Sequence, residues 1–331
     1  MMGEQFSSAD IAASLGDRPN IERYQTRMNS STPDKVARVY PVVDQFTDMM
    51  NPTIVSIGAG TGQVEDTLSD LLQKKRPTFY MSDLSVPMLE TINGVEMAHR
   101  QRGRRESLRS LQAEALFLPF RSNSVDVVLA LSVNHEIISR EGNFILERGL
   151  THASAEVGRI LRKGQVYIVR DFMQPSIPEE IVQVRVGTQG EKEDAVPVEF
   201  VHAFINQFKG ADTTWQKLQI QKLVDQEKWM EGATIQMDAG LALEVLIHYS
   251  WAKSFEEEKY ERYAYLPVGQ YARFIQTVWK KQGIQSKVIS TQTYLQPGYE
   301  EHINGRLDCF HLNGKPYPLP PFTGLVVIQK L

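Results

Sequence analysis

The stretch Ile54-Val55-Ser56-Ile57-Gly58-Ala59-Gly60-Thr61-Gly62 restricts this 331-residue chain more than any other. Four strand-forming residues run straight into three glycines at alternate positions, and a helix-like segment, Gln63 to Leu72, follows. A strand, a tight turn and a helix in that order make the first unit of a nucleotide-binding α/β sheet. The turn needs glycine because a Cβ would hold a ligand away from the backbone. The spacing excludes two relatives of this motif. A GxGxxG fingerprint would need glycine where Gln63 stands, and no lysine follows the glycines as a P-loop requires.

The next units come in order. Thr78-Phe79-Tyr80-Met81-Ser82 reads as a second strand ending at Asp83. An acid about 20 residues beyond such a turn is placed to accept both ribose hydroxyls of an adenosine. A plainer role for Asp83 is a helix cap, since Ser85-Val86-Pro87 opens the next helix. Leu111 to Ala115 reads as a third strand, with Leu118-Pro119-Phe120 after it. Ser124 to Leu131 is a fourth, apolar on both faces as a central parallel strand should be. A helix from Ala153 to Leu161 ends in Arg162-Lys163-Gly164, cations and a glycine stop at its negative end. Val166 to Val169 is the fifth strand.

With these motifs the chain resembles the class I S-adenosylmethionine-dependent methyltransferases. The glycine turn at 54–62, Asp83-Leu84-Ser85 with Met88-Leu89, Glu114-Ala115, Ser124-Val125-Asp126 and Glu156 through Gly164 follow that family's order and spacing over roughly residues 50–172. The resemblance implies an α/β fold, a Rossmann-like seven-stranded sheet with N-terminal helices and a helical lid insertion. It implies S-adenosyl-L-methionine as cofactor and S-adenosyl-L-homocysteine as product. It assigns cofactor contacts to Gly58, Ala59, Gly60, Gly62, Asp83, Leu84, Met88, Glu114, Ala115 and Ser132. Glu114 stands where the family often has aspartate; its longer side chain still reaches an adenine amino group.

Composition sets outer bounds. Hydrophobic content of 42% and charged content of 23% suit a soluble enzyme. No apolar run is long enough to span a membrane, and the start, Met-Met-Gly-Glu-Gln, lacks the pattern of a signal peptide. The single Cys309 permits neither an internal disulfide nor, alone, a zinc site, so no metal is expected and the cytoplasm is the expected compartment. A net charge of −4 favours neither nucleic acid nor an anionic membrane. A homodimer is left open.

The chain divides at 1–50, an N-terminal helical cap; 51–173, the cofactor core; 174–265, a helical lid; and 266–331, the last core helix and strands with an extra hairpin. Val36, Val39, Tyr40, Val43, Phe46 and Met49 give Lys35 to Met50 a helical stripe, which Pro41 should kink or break. Tyr24 and Arg27 precede it, where the resemblance implies a helix that covers the cofactor and an aromatic and a cation at its adenine and carboxylate; packing or facing water is the plainer role. The finishing helix runs from Val268 to Gln282 and the last strands from Ser286 and Gly324. Between them, Leu307–Leu312, Asn313-Gly314 and Lys315–Leu319 have the form of a hairpin. Residues 174–265 are too many for a bare loop and carry helical patterns at Phe200–Phe208, around Trp215 to Trp229, and at Leu241–Trp251. They leave from a strand's carboxyl end, where ligands of open α/β sheets bind, and so read as the substrate-selecting lid.

A methyl donor that is already a sulfonium leaves the enzyme to align an acceptor, exclude water and, for a protonated acceptor, supply a base. Asn134, His135 and Glu136 follow strand four directly, nearest the transferred methyl in this fold. His135 is the candidate base, Asn134 an orienting amide; a structural histidine at the strand end is the plainer reading. Tyr249, Trp251 and Tyr263, in an aromatic run with His248, are candidate substrate contacts, the plainer role being lid packing. His99-Arg100-Gln101-Arg102-Gly103-Arg104-Arg105 with Arg109 is a basic cluster that supports a rival reading, tRNA or rRNA methylation; a solvated loop is the simpler account. The expected activity is methyl transfer to a small molecule, such as a bacterial metabolite. A regulatory or scaffold module that binds the cofactor without catalysis is the third reading.

Overall fold

The computed structural model describes residues 21–104, 107–139, 146–187, 197–209 and 232–331. Two helices come first, α1 (Ile21–Ser30) and α2 (Thr32–Phe46). The helix α2 passes through Pro41 unbroken. Pro41 and Ala37, whose carbonyl loses its donor, both face solvent, so water replaces the missing hydrogen bond. The helix stops at Phe46, short of the expected Met50.

The core then alternates: β1 (Thr53–Ile57), α3 (Gln63–Leu71), β2 (Thr78–Asp83), α4 (Val86–Gln101), β3 (Ser107–Gln112), β4 (Val125–Leu131), α5 (Asn134–Ser139), α6 (Leu146–Ile160) and β5 (Leu161–Phe172). After an insertion come α10 (Val268–Lys281), β8 (Ser286–Tyr294) and β10 (Thr323–Lys330). The seven strands lie in the order β3-β2-β1-β4-β5-β10-β8. The first five are parallel, and β10 runs antiparallel to both β5 and β8. This is the expected Rossmann-like sheet.

Burial explains the pattern. Every residue of β4 is buried. Along the central strands alternate side chains feed two clusters. Ile54, Val127 and Leu129 pack with Val36, Val39 and Val43 of α2 and Leu68 of α3. Val55, Val128 and Ala130 pack with Val157 of α6 and Ile275 and Trp279 of α10 on the other face. Fully burying one such side chain is worth about 1.5–3 kcal/mol. The third strand is corrected: it is Ser107–Gln112, not Leu111–Ala115. As an edge strand it needs little apolar surface, and Leu111–Leu116 lies at and beyond its carboxyl end. The Arg162-Lys163-Gly164 run opens β5 rather than closing a helix.

The insertion is not purely helical, a second correction. It holds β6 (Ile181–Val186), α7 (Pro197–Gln207), β7 (Thr234–Asp238), α8 (Ala239–Ser250) and a short turn of helix, α9 (Phe255–Glu258). Between β8 and β10 stand α11 (Tyr299–Ile303) and β9 (Leu307–His311). The strands form a second sheet, β7-β6-β9, with antiparallel neighbours. The segment expected as a hairpin therefore gives its first arm to β6; its second arm joins the first through the Phe310–Pro316 bridge, with the His311 N–H donating to the Lys315 carbonyl and the Tyr317 N–H to the Cys309 carbonyl. The lid has its own core, Val182 and Val184 against Phe200, Phe204, Leu246 and Leu307. Residues 210–231, with Trp215 and Trp229, lie outside the described residues.

Candidate active site

At the carboxyl end of β1 the chain turns through Gly58, Gly60 and Gly62, all with positive φ. Gly60 decides the geometry. Its φ is +57°, and a Cβ there would stand 2.4 Å from the Met28 Cε and near no backbone. Only the movable end of a side chain on α1 covers the glycine face, so a ligand that displaces it meets bare backbone. The α1 helix lies across this turn: Asn29 accepts from the Thr61 hydroxyl, and the Gln25 amide donates to Thr91 at 2.9 Å. Tyr24 and Arg27 fall on α1, but their side chains lie outside those described.

Asp83 closes the turn. Its Oδ2 accepts from the Gly60 N–H at 2.9 Å and its Oδ1 from the Ser85 N–H at 2.9 Å. Each oxygen keeps a lone pair for a ribose hydroxyl. Beside it the buried Ser85 hydroxyl has no hydrogen-bonding partner among the described residues. Leu84 and Met88 continue from Asp83, and Glu114 and Ala115 follow β3 next to it, the Ala113 N–H donating to the Asp83 carbonyl at 3.3 Å. The residues assigned to the nucleoside thus converge on one strand end, and they fit S-adenosylmethionine. Burial raises the Asp83 carboxyl to about 6, against the pull of the Ser85 and Gly60 N–H groups. The charged form is the better acceptor. Affinity for S-adenosylhomocysteine should therefore fall as pH drops below about 6. Asp83→Ala should show low affinity at every pH, losing about 1.5–3 kcal/mol per hydrogen bond. Calorimetry at pH 5 and pH 8 checks this; equal affinities in the parent refute it.

A cavity of about 270 Å³ opens beyond, between sheet and lid. Its floor is Ser132, His135, Arg170 and Phe172; Met28, Ser31 and Lys35 make one side; Trp251, Glu261, Tyr263, Gln296, Tyr299 and His302 come from the lid and from the strand that leads to it. His135, Ser132, Trp251 and Tyr263, all singled out from the sequence, line this cavity. Two other candidate residues do not. Asn134 is fully buried and its amide donates to the Tyr271 hydroxyl at 2.6 Å, inside the core. Tyr249 packs within the lid, its ring 5.3 Å from that of Phe200. Both lie on faces of their helices turned from the cavity.

The floor is organised by Asp171, itself fully buried. Its Oδ2 accepts from the Asn134 and His135 N–H groups at 2.8 and 3.2 Å, tying down the start of α5. Its Oδ1 takes the His135 Nδ1 at 2.7 Å, and the other ring nitrogen, Nε2, is 4.0 Å from a Glu261 oxygen. Burial alone would push the imidazole down; the charge of Asp171, its hydrogen bond, and the charges of Glu261 and Glu136 outweigh it and lift His135 to about 9. Arg170, next in the strand and 2% exposed, is held by Ser132 at 2.7 Å, Gln296 at 2.6 Å, Tyr294 at 3.0 Å and Asp34 at 3.1 Å. Ser132 takes a positive φ of 64° to present its hydroxyl there. Arg170, Asp171, Lys35 and Glu261 were not singled out from the sequence. The signal was an Arg-Asp pair at the end of an otherwise apolar strand, which a buried strand tolerates only when both charges are matched.

Residues 55–169 match the family described as "Methyltransferase domain". The chain carries a methyltransferase domain. The glycine turn, Asp83 and the first five strands all fall within or beside the matched span. Comparison with curated proteins finds no match for this chain. Among solved structures it is similar to the YcgJ protein from Bacillus subtilis, at 14% identity and a TM-score of 0.43, over 89% of this chain and 97% of that one. It is similar to a geranyl diphosphate C-methyltransferase from Streptomyces coelicolor A3(2), solved with Mg2+, geranyl diphosphate and S-adenosyl-L-homocysteine, at 11% identity and 0.44, over 96% and 88%. A SAM-dependent methyltransferase from Methanosarcina mazei is similar at 12% identity and 0.41, over 88% and 96%. Among the described residues no helix is long and apolar enough to cross a membrane.

Proposed function

We propose that the chain transfers the methyl group of S-adenosylmethionine to a small molecule taken into the cavity beneath the lid. The observation that carries this is the cavity itself: the aromatic residues Phe172, Trp251, Tyr263 and Tyr299 wall it, and the His135–Asp171 pair lies at its floor beside the end of β4. The glycine turn and Asp83 would hold the nucleoside. When bound, the cofactor supplies a methyl group on a positively charged sulfur. The aromatic walls exclude water and fix the acceptor, and alignment of that kind contributes about 7–11 kcal/mol.

His135 is the group that would take the acceptor's proton, at Nε2, while Asp171 holds Nδ1 and sets the ring's orientation. With its value near 9 the imidazole is mostly charged at neutral pH, so turnover should rise with pH until about 9. His135→Gln should lower kcat by about 10²–10⁴-fold and flatten that limb. The measurement is initial-rate formation of S-adenosylhomocysteine across pH with an acceptor found by screening. A variant with the parent's rate and profile would remove His135 from the mechanism.

The rival reading, RNA methylation, rests on the basic cluster. Three of its arginines are already engaged: Arg102 bridges Asp66 at 2.7 Å, Arg104 bridges Asp70 at 3.0 Å, and Arg100 pairs with Glu96, while Arg109 is exposed on the edge strand β3. Asp66, Asp70 and His99 also have the spacing of a metal site, but these guanidinium groups supply the positive charge there. Arg105 lies outside the described residues. Support for action in the cytoplasm is the single Cys309, a buried free thiol.

A further inference from the structure

Lys35 is the cation of the cavity that has no assigned task. It stands in the first half of α2, is 7% exposed, and lines the cavity. Among the described residues its ammonium has no hydrogen-bonding partner. The surrounding acids are committed elsewhere. Asp34 receives Arg170 and the Tyr294 hydroxyl, Glu65 receives the Ser56 hydroxyl at 2.6 Å on one oxygen, and Asp171 receives His135; Glu65, Asp171 and Glu136 act on Lys35 through their charge, not through a hydrogen bond. Arg170 and His135 also face the cavity, but each already has its carboxylate. A buried ammonium without a partner costs several kcal/mol. The cost shows in its basicity: burial, then the charge of Arg170, lower Lys35 from 10.5 to about 8.

We infer that Lys35 receives an anionic group of the acceptor, and that the acceptor is an aromatic or similarly flat carboxylic acid. This deepens the reading of the cavity as the acceptor site and rests on it. The assignment to the acceptor follows from the lining. Of the residues assigned to the cofactor only Ser132 borders this cavity, and Gly58, Gly60, Asp83 and Glu114 do not, whereas Trp251 and Tyr263 of the lid and Tyr299 of α11 do. Lys35 therefore shares its cavity with flat apolar walls, and of the three cations there it is the one without a hydrogen-bonded carboxylate. Such walls bind a flat hydrophobic body, and the lone ammonium selects its acid.

The other source of a carboxylate is the cofactor's own amino-acid tail, and the test separates the two. The full chain, Lys35→Met and Lys35→Arg are compared by calorimetry. The probes are S-adenosylhomocysteine; 5′-methylthioadenosine, which lacks the tail; and, on protein saturated with S-adenosylhomocysteine, phenylacetate against neutral phenylacetamide. The expected result is that the loaded parent prefers phenylacetate to the amide by about tenfold or more. Lys35→Met should lose that preference, Lys35→Arg should keep it, and the affinity for S-adenosylhomocysteine should be the same in all three. Melting temperature should be kept in Lys35→Met, because the buried ammonium it removes makes no hydrogen bond. Equal binding of acid and amide to the parent overturns the inference, as does an unchanged preference in Lys35→Met. Weaker S-adenosylhomocysteine with unchanged 5′-methylthioadenosine in Lys35→Met overturns it too, by giving Lys35 to the cofactor tail. Should the parent bind no S-adenosylhomocysteine at all, the cofactor reading falls and this inference with it. Should it bind S-adenosylhomocysteine but not phenylacetate, the acid inference falls alone.

Discussion

Gly60→Val should abolish measurable binding of S-adenosylhomocysteine while leaving the sheet folded. Two effects act together. A β-branched residue at φ +57° is strained by about 1–3 kcal/mol. Its Cβ would also occupy the space that the Met28 methyl now fills, the face a ligand needs. The core below, Ile54 and Val55 in β1, is untouched. An affinity loss of at least a hundredfold, about 2.7 kcal/mol, is expected. Gly103→Ala is the control. Gly103 has a similar φ of +68° but open space around its missing Cβ, so that variant carries backbone strain without blocking a ligand. Calorimetry and thermal melts of both variants decide the matter. Gly60→Val binding like the parent would remove the glycine turn from the cofactor site.

Asp171→Asn should be the most destabilising single change in the site. The side chain is fully buried and accepts from Asn134, His135 twice, and the Phe172 N–H at 2.8 Å. Breaking one partner of a buried ion pair costs about 3–5 kcal/mol. The loss should depend on pH with a definite sign. His135 rises from 6.5 to about 9 on folding, so its share of stability is complete below 6.5 and disappears as pH climbs through 9. That share is roughly 3 kcal/mol. Chemical denaturation at pH 6 and pH 9.5 should show the parent losing stability over this range and Asp171→Asn losing much less. Equal losses would mean that the pair does not titrate as described.

What the sequence showed and what it hid divide along physical lines. The glycine turn, Asp83 and β4 were readable because local backbone demands and two-sided burial leave marks on consecutive residues. The edge strand β3 was misplaced because an edge needs no such apolar run. In the lid, Val182, Val184 and Val186 alternate with Gln183 and Arg185, a strand signal that stood in plain view but was outweighed by the helical patterns nearby. Lys35 and Arg170 could not be assigned from the chain alone. The meaning of Arg170 lies in what holds it, Asp34 and Gln296 from opposite ends of the sequence, and that of Lys35 in the cavity it lines, and only folding brings those together. Asn134 was placed on the correct turn but the wrong side of it, since a helix of six residues presents neighbouring side chains to different surroundings.

The pairing of β6 with β9, Val184 opposite Cys309, joins stretches that lie on either side of α10 and β8. A chain emerging from the ribosome would complete the nucleotide half of its sheet long before His311 appears. Until then β6 would expose a valine-rich edge with nothing to cover it, a template for mispairing. Such distant pairings are also slow to form. The roof of the cavity is therefore among the last parts to assemble, and excising residues 174–265 as a cassette would strand β9 rather than yield a lidless enzyme. Late closure also gives synthesis a built-in order: the nascent protein acquires its capacity to hold a nucleoside before it has a chamber in which to use one.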